Sequence, residues 1–347
     1  MNREFLYRLL NTVSVSGNEE ANQRHVLDYT RDFSDRQYVD SVGNAVAVIN
    51  ENAKCRVLIT GHIDEIGYRV TNIDSEGFIH VQKAGGVRGK LYVGAPMQII
   101  HEGEKVNAVG VYTSELLKKS DFSDSDLILD IGAKNKEEAL KKVSVGDSVC
   151  GDTTVREMLN DFITCRALDD KAGAFTVIEA GKLAREKGAE NGIYILSAVG
   201  EETSSRGAFH GSVNIDPTCA IAVDVTWAQD YPGADPSETG DIRVGGGPVL
   251  CLSGMVNKKM NELLKQIASE NNIPLQYEVA GGGTYTDGDT IVRTNKGVPM
   301  ALVSIPERYM YSSAEIVSLK DIEQCIELIS EFCIRINEDF DFNPLKV

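Results

Sequence analysis

Four short motifs place groups that can bind a cation or move a proton directly behind apolar runs. GHIDEIG, residues 61–67, follows RVLIT and sets His62 and Asp64 two residues apart. A neutral imidazole binds divalent metals, and a carboxylate two residues on can orient it from behind. RALDDKAGA, residues 166–174, places Asp169 and Asp170 ahead of a run of small residues. Carboxylates there either bind a cation or cap the helix that follows. GEETSSRGA, residues 200–208, sets Glu201 beside Glu202. One such carboxylate can bind metal while its neighbour takes a proton from water. AVDVTWAQDYPG, residues 222–233, carries Asp224 between Val223 and Val225, where a buried carboxylate needs a partner or a metal.

Taken singly, the first three motifs have ordinary explanations: a core histidine, a helix cap, a solvated acidic turn. Together they give His, Asp, Glu and Asp at successive strand ends, each with a companion. That donor set suits a hard-to-borderline divalent pair such as zinc, cobalt or manganese.

The elements that must position these groups are legible in outline. RVLIT (56–60, stopping at Gly61), YILSAVG, AIAVDV and PMALVSIP are short apolar runs that read as buried strands of a largely parallel sheet. In such sheets ligands gather at the carboxyl ends of strands, where all four motifs lie. Residues 171–187 and 256–270 read as helices, and Ile322, Cys325, Ile326, Ile329, Phe332 and Cys333 recur at helical spacing. Ser318 is the expected N-cap of that last helix, with Val317 and Ile322 as a hydrophobic staple. Phe5, Leu6, Leu9 and Leu10 fit an opening amphipathic helix. Residues 68–160 differ in texture, with many short runs rich in Val and Gly: FIHV, PMQII, AVGVYT, LILDIG. The expected fold class is therefore α/β, a mostly parallel-containing central sheet flanked by helices, with a small inserted β-rich domain. The expected division is 1–67 with 161–347 as one domain and 68–160 as the insert.

Composition narrows the partners. With 347 residues, two domains are the natural expectation. The net charge of −17 argues against nucleic acid and anionic membranes, which demand a basic footprint. No segment approaches the ~20 apolar residues that span a bilayer, and MNREFLYRLLNTVSVSGNEE has no long apolar stretch, so the cytoplasm is the expected location. Seven scattered cysteines without a CxxC pair read as buried, reduced thiols.

GHIDEIG, ALDDKAG, GEETSSRGA, DVT with a following PG, and IPERYMYS together resemble the tetrahedral-aminopeptidase family of dinuclear-metal peptidases, some of whose members carry the labels glutamyl aminopeptidase or cellulase. GGGTYTD, 281–287, is similar to a Gly-rich active-site loop, and DIGAKNKEEALKK with VSVGD to the segment closing the inserted domain. The resemblance implies a zinc-exopeptidase-like fold and two divalent metal ions per chain. It implies one ion on His62, Asp169 and Asp224, and a second shared by Asp169 and also held by Glu202. It further implies Asp64 orienting His62 and Glu201 as general base for a metal-bridging hydroxide that attacks the first peptide bond of short peptides. The insert would mediate dimer contacts in a homo-oligomer, a twelve-subunit tetrahedral shell being the family expectation.

The family histidine that completes the second metal site is replaced here by Tyr311. A phenol ligates only as phenolate. Three outcomes stand open: a weak second site, ligation by Tyr311, or one metal and little peptidase activity, in which case the chain is a peptide-binding or structural protein. Trp227 stands where the family often has another histidine and reads as pocket wall. His210 is a distant candidate substitute. A glycoside-hydrolase reading leaves His62 and Asp224 without work, and one Trp offers little for stacking on sugar. Arg308 is expected to be structural rather than a reader of acidic substrates.

Overall fold

The computed structural model describes residues 1–345. A mixed eight-stranded sheet forms its centre, in spatial order Arg36–Val39, Ala45–Ile49, Gly192–Ala198, Arg56–His62, Cys219–Trp227, Met300–Glu307, Val249–Ser253 and Gln276–Ala280. The four strands around His62 and Asp224 run parallel to one another. The outer pairings are antiparallel, except that Gln276–Ala280 lies parallel to Val249–Ser253 at the edge. The strands Ala45–Ile49, Gly192–Ala198 and Met300–Glu307 are buried throughout, as strands covered on both faces must be.

The helix Leu168–Glu186 lies along this sheet and is almost wholly buried. Regular helical backbone begins only after Asp170, matching a helix expected from 171. Leu319–Arg335 packs on it, with the Ser318 side chain accepting from Lys320 N at its start. Arg3–Asn11 buries Phe5, Leu6, Leu9 and Leu10 against the same core. The strand expected to stop at Gly61 instead runs through it to His62. Gly61 is there for closeness: a Cβ at that position would sit 2.5 Å from the Ala174 backbone N of the crossing helix.

Six strands between Gly67 and Gly151 close into a small barrel, in the order Gly67–Ile73, Ile79–Ala84, Ile128–Asp130, Glu104–Gly110, Pro96–His101, Ser148–Gly151. The barrel has its own apolar interior, including Tyr68, Ile73, Ile99, Leu129 and Val149, separate from the interior around the large sheet. The expected AVGVYT strand ends at Gly110, where the chain presses on Tyr92: a Cβ there would meet the Tyr92 carbonyl oxygen at 1.9 Å. A third, three-stranded sheet joins Arg156–Glu157, Phe162–Cys165 and Glu315–Ser318. All seven cysteines are buried and free. Among the described residues no helix is long and apolar enough to cross a membrane.

Candidate functional site

His62 ends its strand with a buried ring. Its Nδ1 faces the Asp64 backbone oxygen at 3.1 Å and the Asp64 carboxylate at 3.5 Å. With Nδ1–H donating there, the lone pair of Nε2 faces outward, the tautomer a metal requires. Around Nε2 stand Asp169 Oδ1 at 3.3 Å and Glu201 Oε2 at 3.8 Å. Burial alone would push this imidazole's pKa down, but hydrogen bonds to Asp169 and Asp64 and the charge of Glu201 outweigh it and raise it well above the usual range.

Asp64 is fully buried and serves two partners. Besides facing His62, its carboxylate accepts Glu201 N at 3.0 Å and Glu202 N at 3.3 Å, tying down the short helix Glu201–Ser204. One side chain thereby sets both the imidazole and the paired glutamates. Burial would raise the pKa of Asp64, but its bonds to His62 and Glu201 N leave it lowered, so it stays ionised.

Asp169 and Asp170 join through a cis peptide at the turn that leads into the long helix. Asp170 spends its oxygens on His62 N, 3.1 Å, and Gly173 N, 3.0 Å. Glu315 supports the same turn from the other side, accepting Leu168 N at 2.8 Å and Asp169 N at 3.4 Å, while its other oxygen accepts Tyr311 N at 3.1 Å. Asp224 is buried in its strand, bonded through Oδ1 to Val225 N at 2.8 Å.

Two overlapping groups of side chains bring ligand atoms close enough to share a cation: His62, Asp169 and Glu202, and His62, Asp170 and Asp224. The donor set is imidazole and carboxylate, which suits zinc, cobalt or manganese. Its charge also asks for cations. Burial, then neighbouring carboxylates, raise Glu202 well above the usual range, and Asp170 and Asp224 likewise. Glu202 Oε1 is buried without a hydrogen-bond partner among the described residues. The nearby cations are already engaged: Glu65 pairs with both Arg166 and Lys171. Glu201 is pushed by burial up to about 7, near the value a proton shuttle at neutral pH requires.

A cavity of about 420 Å³ opens beside the cluster. It is lined by His62, Asp169, Glu201, Glu202 and Asp224, and further out by Trp227, Glu278, Tyr285 and Tyr311. The GGGTYTD segment forms its rim. Tyr311 packs edge-on to Trp227, ring centroids 5.9 Å apart, with Gly86 of the barrel side beneath its ring. Burial and the surrounding carboxylates raise its phenol pKa, so without a cation it is neutral. Its backbone has φ +66°, a left-handed conformation that Glu315 holds through the bond to Tyr311 N.

All seven residues singled out in the sequence therefore meet in one place, Asp64 beneath the cavity and the other six around it. His210 does not: it is exposed on the helix Arg206–Ile215 against Phe209. His80 and His101 sit on barrel strands near Asp74 and Asp147. Arg308 is structural, forked onto Asp230 at 2.8 and 2.5 Å. Asp170, read in the sequence with Asp169 as a cation ligand or helix cap, stands beside the cluster, whereas Asp287, Glu307 and Glu315 were not singled out by the sequence. Asp287 and Glu307 are buried with both oxygens unpartnered among the described residues, and burial raises both, aided by the charge of Glu201 on Asp287 and of Glu315 and then Asp169 on Glu307. Asp170 had a signal in the doublet and Asp287 in the Gly-rich loop. Glu307 and Glu315 had none, because nothing local marks them as facing the cluster.

The sequence profile described as M42 glutamyl aminopeptidase matches residues 43–328. A lysyl aminopeptidase of Pyrococcus furiosus is 31% identical, over 98% of this chain and 99% of its own. The crystal structure of a TET aminopeptidase from the marine sediment archaeon Thaumarchaeota archaeon SCGC AB-539-E09 superposes with a TM-score of 0.91 at 28% identity, covering 97% of each chain. The TET1 peptidase of Pyrococcus horikoshii, which can assemble into a tetrahedron or a large octahedral shell, superposes at 0.85 and 28% identity, over 96% of this chain and 99% of that one.

Proposed function

Since the chain belongs to the M42 glutamyl aminopeptidase family of peptide-bond hydrolases, we propose that it is a metal-dependent aminopeptidase that removes N-terminal residues from short peptides. The observation that carries this reading is the surplus of buried carboxylate around His62 Nε2, with which no lysine or arginine among the described residues forms a salt bridge. Such a site is costly to bury unless cations fill it.

In this reading His62, Asp169 and Asp224 hold one divalent ion, and Asp169, Glu202 and Tyr311 face a second. Asp170 is a support, since both its oxygens serve backbone N–H groups. Bound ions supply Lewis acidity toward the scissile carbonyl and lower the pKa of water. The remaining work falls to the chain. Asp64 keeps His62 in its ligand tautomer and fixes Glu201. Glu201, with its elevated pKa, takes a proton from the attacking water and returns it to the leaving amine. Trp227 and Tyr311 wall the cavity and limit water.

The wider organisation is part of the same proposal. Residues 1–67 and 161–347 form the catalytic unit, and 68–160 the unit through which copies assemble. The separate apolar interior of the barrel and the shell formed by the Pyrococcus horikoshii relative support it. The assembly is a cytoplasmic homo-oligomer built from dimers, up to twelve copies.

One specific observation favours a second reading, a catalytically impaired peptide-binding or structural homologue: the neutral phenol of Tyr311 faces the second site. Metal quantification on purified protein separates the two. Two tightly bound ions per chain, with cleavage of amino-acid p-nitroanilides in zinc, cobalt or manganese, is the expected result. No cleavage of any anilide with any of these metals overturns the peptidase reading.

A further inference from the structure

The cavity beside the cluster has a floor that the proposed chemistry does not use. Glu278 lies on the edge strand Gln276–Ala280, opposite Cys251 on the neighbouring strand. Its side chain crosses that small residue toward the sheet centre. One oxygen accepts Ser304 Oγ at 3.0 Å and the other accepts the Thr226 hydroxyl. Thr226 is two residues beyond Asp224 on the same strand and so on the same face, about 6.6 Å further along. Glu278, Thr226 and Ser304 all line the cavity that holds His62 and Glu201.

Among the described residues Glu278 has no positive partner. Its environment among the described residues consists of burial, the two hydroxyls and the Cys251 thiol, and burial raises its pKa. Among the described residues His62 is the only cavity-lining side chain able to carry positive charge, and it belongs to the candidate metal cluster. Arg308, three residues before Tyr311, is engaged by Asp230. A carboxylate left so is costly to cover with an apolar group and is satisfied by a charge-assisted hydrogen bond. The distance also fits. A substrate whose first carbonyl sat at the cluster, with its side chain running along the Asp224 strand, would need to reach about as far as Thr226. An extended lysine reaches about 6 Å from Cα to Nζ through five bonds of ~1.5 Å.

Resting on the peptidase reading, we propose that this cavity receives the first side chain of the substrate and that Glu278 at its floor selects peptides beginning with lysine or arginine. Acidic first residues are repelled, and apolar ones leave the carboxylate covered with no cation to pair with.

The test compares kcat/KM on lysyl-, arginyl-, leucyl- and glutamyl-p-nitroanilide for the metal-loaded protein and E278Q. In parallel, calorimetry measures binding of L-lysinamide and L-leucinamide. Glutamine keeps the shape and can still accept from a hydroxyl. The expected result is a lysyl over leucyl preference of about 30-fold that falls at least 10-fold in E278Q, with weakened lysinamide binding. A purely structural Glu278 would leave the ratio unchanged. Cleavage of leucyl-anilide with no basic preference, or a ratio untouched in E278Q, overturns the subsite while the peptidase reading stands. No cleavage, but lysinamide binding that depends on Glu278, overturns the peptidase reading and keeps the subsite. Absence of both overturns both.

Discussion

Glu201 stands 3.8 Å from His62 Nε2, with burial holding its carboxyl near pH 7. A base must be ionised to accept a proton, so activity should fall as pH drops through its pKa. Bound cations favour the ionised form, so the acid limb of kcat/KM should lie at or below about 7. Glu201→Gln should lower kcat by on the order of 100-fold or more and erase that limb while leaving metal content intact. Retained activity would remove Glu201 from its role as base. Tyr311 is the second residue to question. Tyr311→His replaces a phenol that burial keeps neutral with an imidazole, and should raise the affinity for the second ion at least tenfold by metal titration. The principal residues at this scale were legible because each sits in a short motif behind an apolar run. Glu307 and Glu315 were not, since each lies four residues from Tyr311 with nothing local to show that it faces the cluster.

At the scale of elements, the site depends on how closely the helix Leu168–Glu186 crosses the His62 strand. Gly61→Ala forces a Cβ to within 2.5 Å of Ala174 N and pushes away the turn that carries Asp169. Chemical denaturation should show a loss of about 2 kcal/mol, together with weaker metal binding. An unchanged midpoint would mean the crossing is looser than described. Glu65 is a second anchor. It pairs with Lys171 at 2.7 Å and with Arg166, all three buried, and accepts Ser14 N at 2.8 Å. The charges of Arg166 and Lys171 overcome burial and hold the Glu65 pKa below the usual range. Glu65→Ala strands two buried cations at the root of the Asp169 turn and should cost about 3–5 kcal/mol.

For the whole molecule, the carboxylate cluster ties stability to pH and to metal. Asp170, Glu202, Asp224, Asp287, Glu307 and Glu315 all have raised pKa values from burial, as does His62 through its hydrogen bonds to carboxylates. For each, the folded state binds the proton more tightly than the unfolded one. Stability of the metal-free protein should therefore fall as pH rises above the unfolded carboxylate values, from about 5 to 8. Scanning calorimetry should show Tm dropping by on the order of 5 °C over that span. Added zinc, cobalt or manganese should restore it, more at pH 8 than at pH 5, since ligands must be deprotonated to bind. A metal-free Tm that climbs from pH 5 to 8 would contradict a surplus of buried carboxylate in the folded chain.

Local patterning determined a good deal of this protein. Apolar runs marked the central strands, helical spacing marked the last helix and its Ser318 cap, and the change of texture near residue 68 marked the β-rich segment. These are short-range signals, set by which side chains neighbours must bury together. The candidate donors His62, Asp169, Glu202 and Asp224 were readable for the same reason, each standing where a buried strand or its following turn begins to face a cavity. Tertiary structure alone decided the rest. Only packing shows that Gly61 continues a strand so that a helix can pass within contact distance. Only the sheet's order, which sets Gln276–Ala280 two strands from Met300–Glu307, brings Glu278 across to Ser304 and Thr226. A carboxylate's partners in a folded chain are fixed by strands that pair across long stretches of sequence, and no local pattern records them.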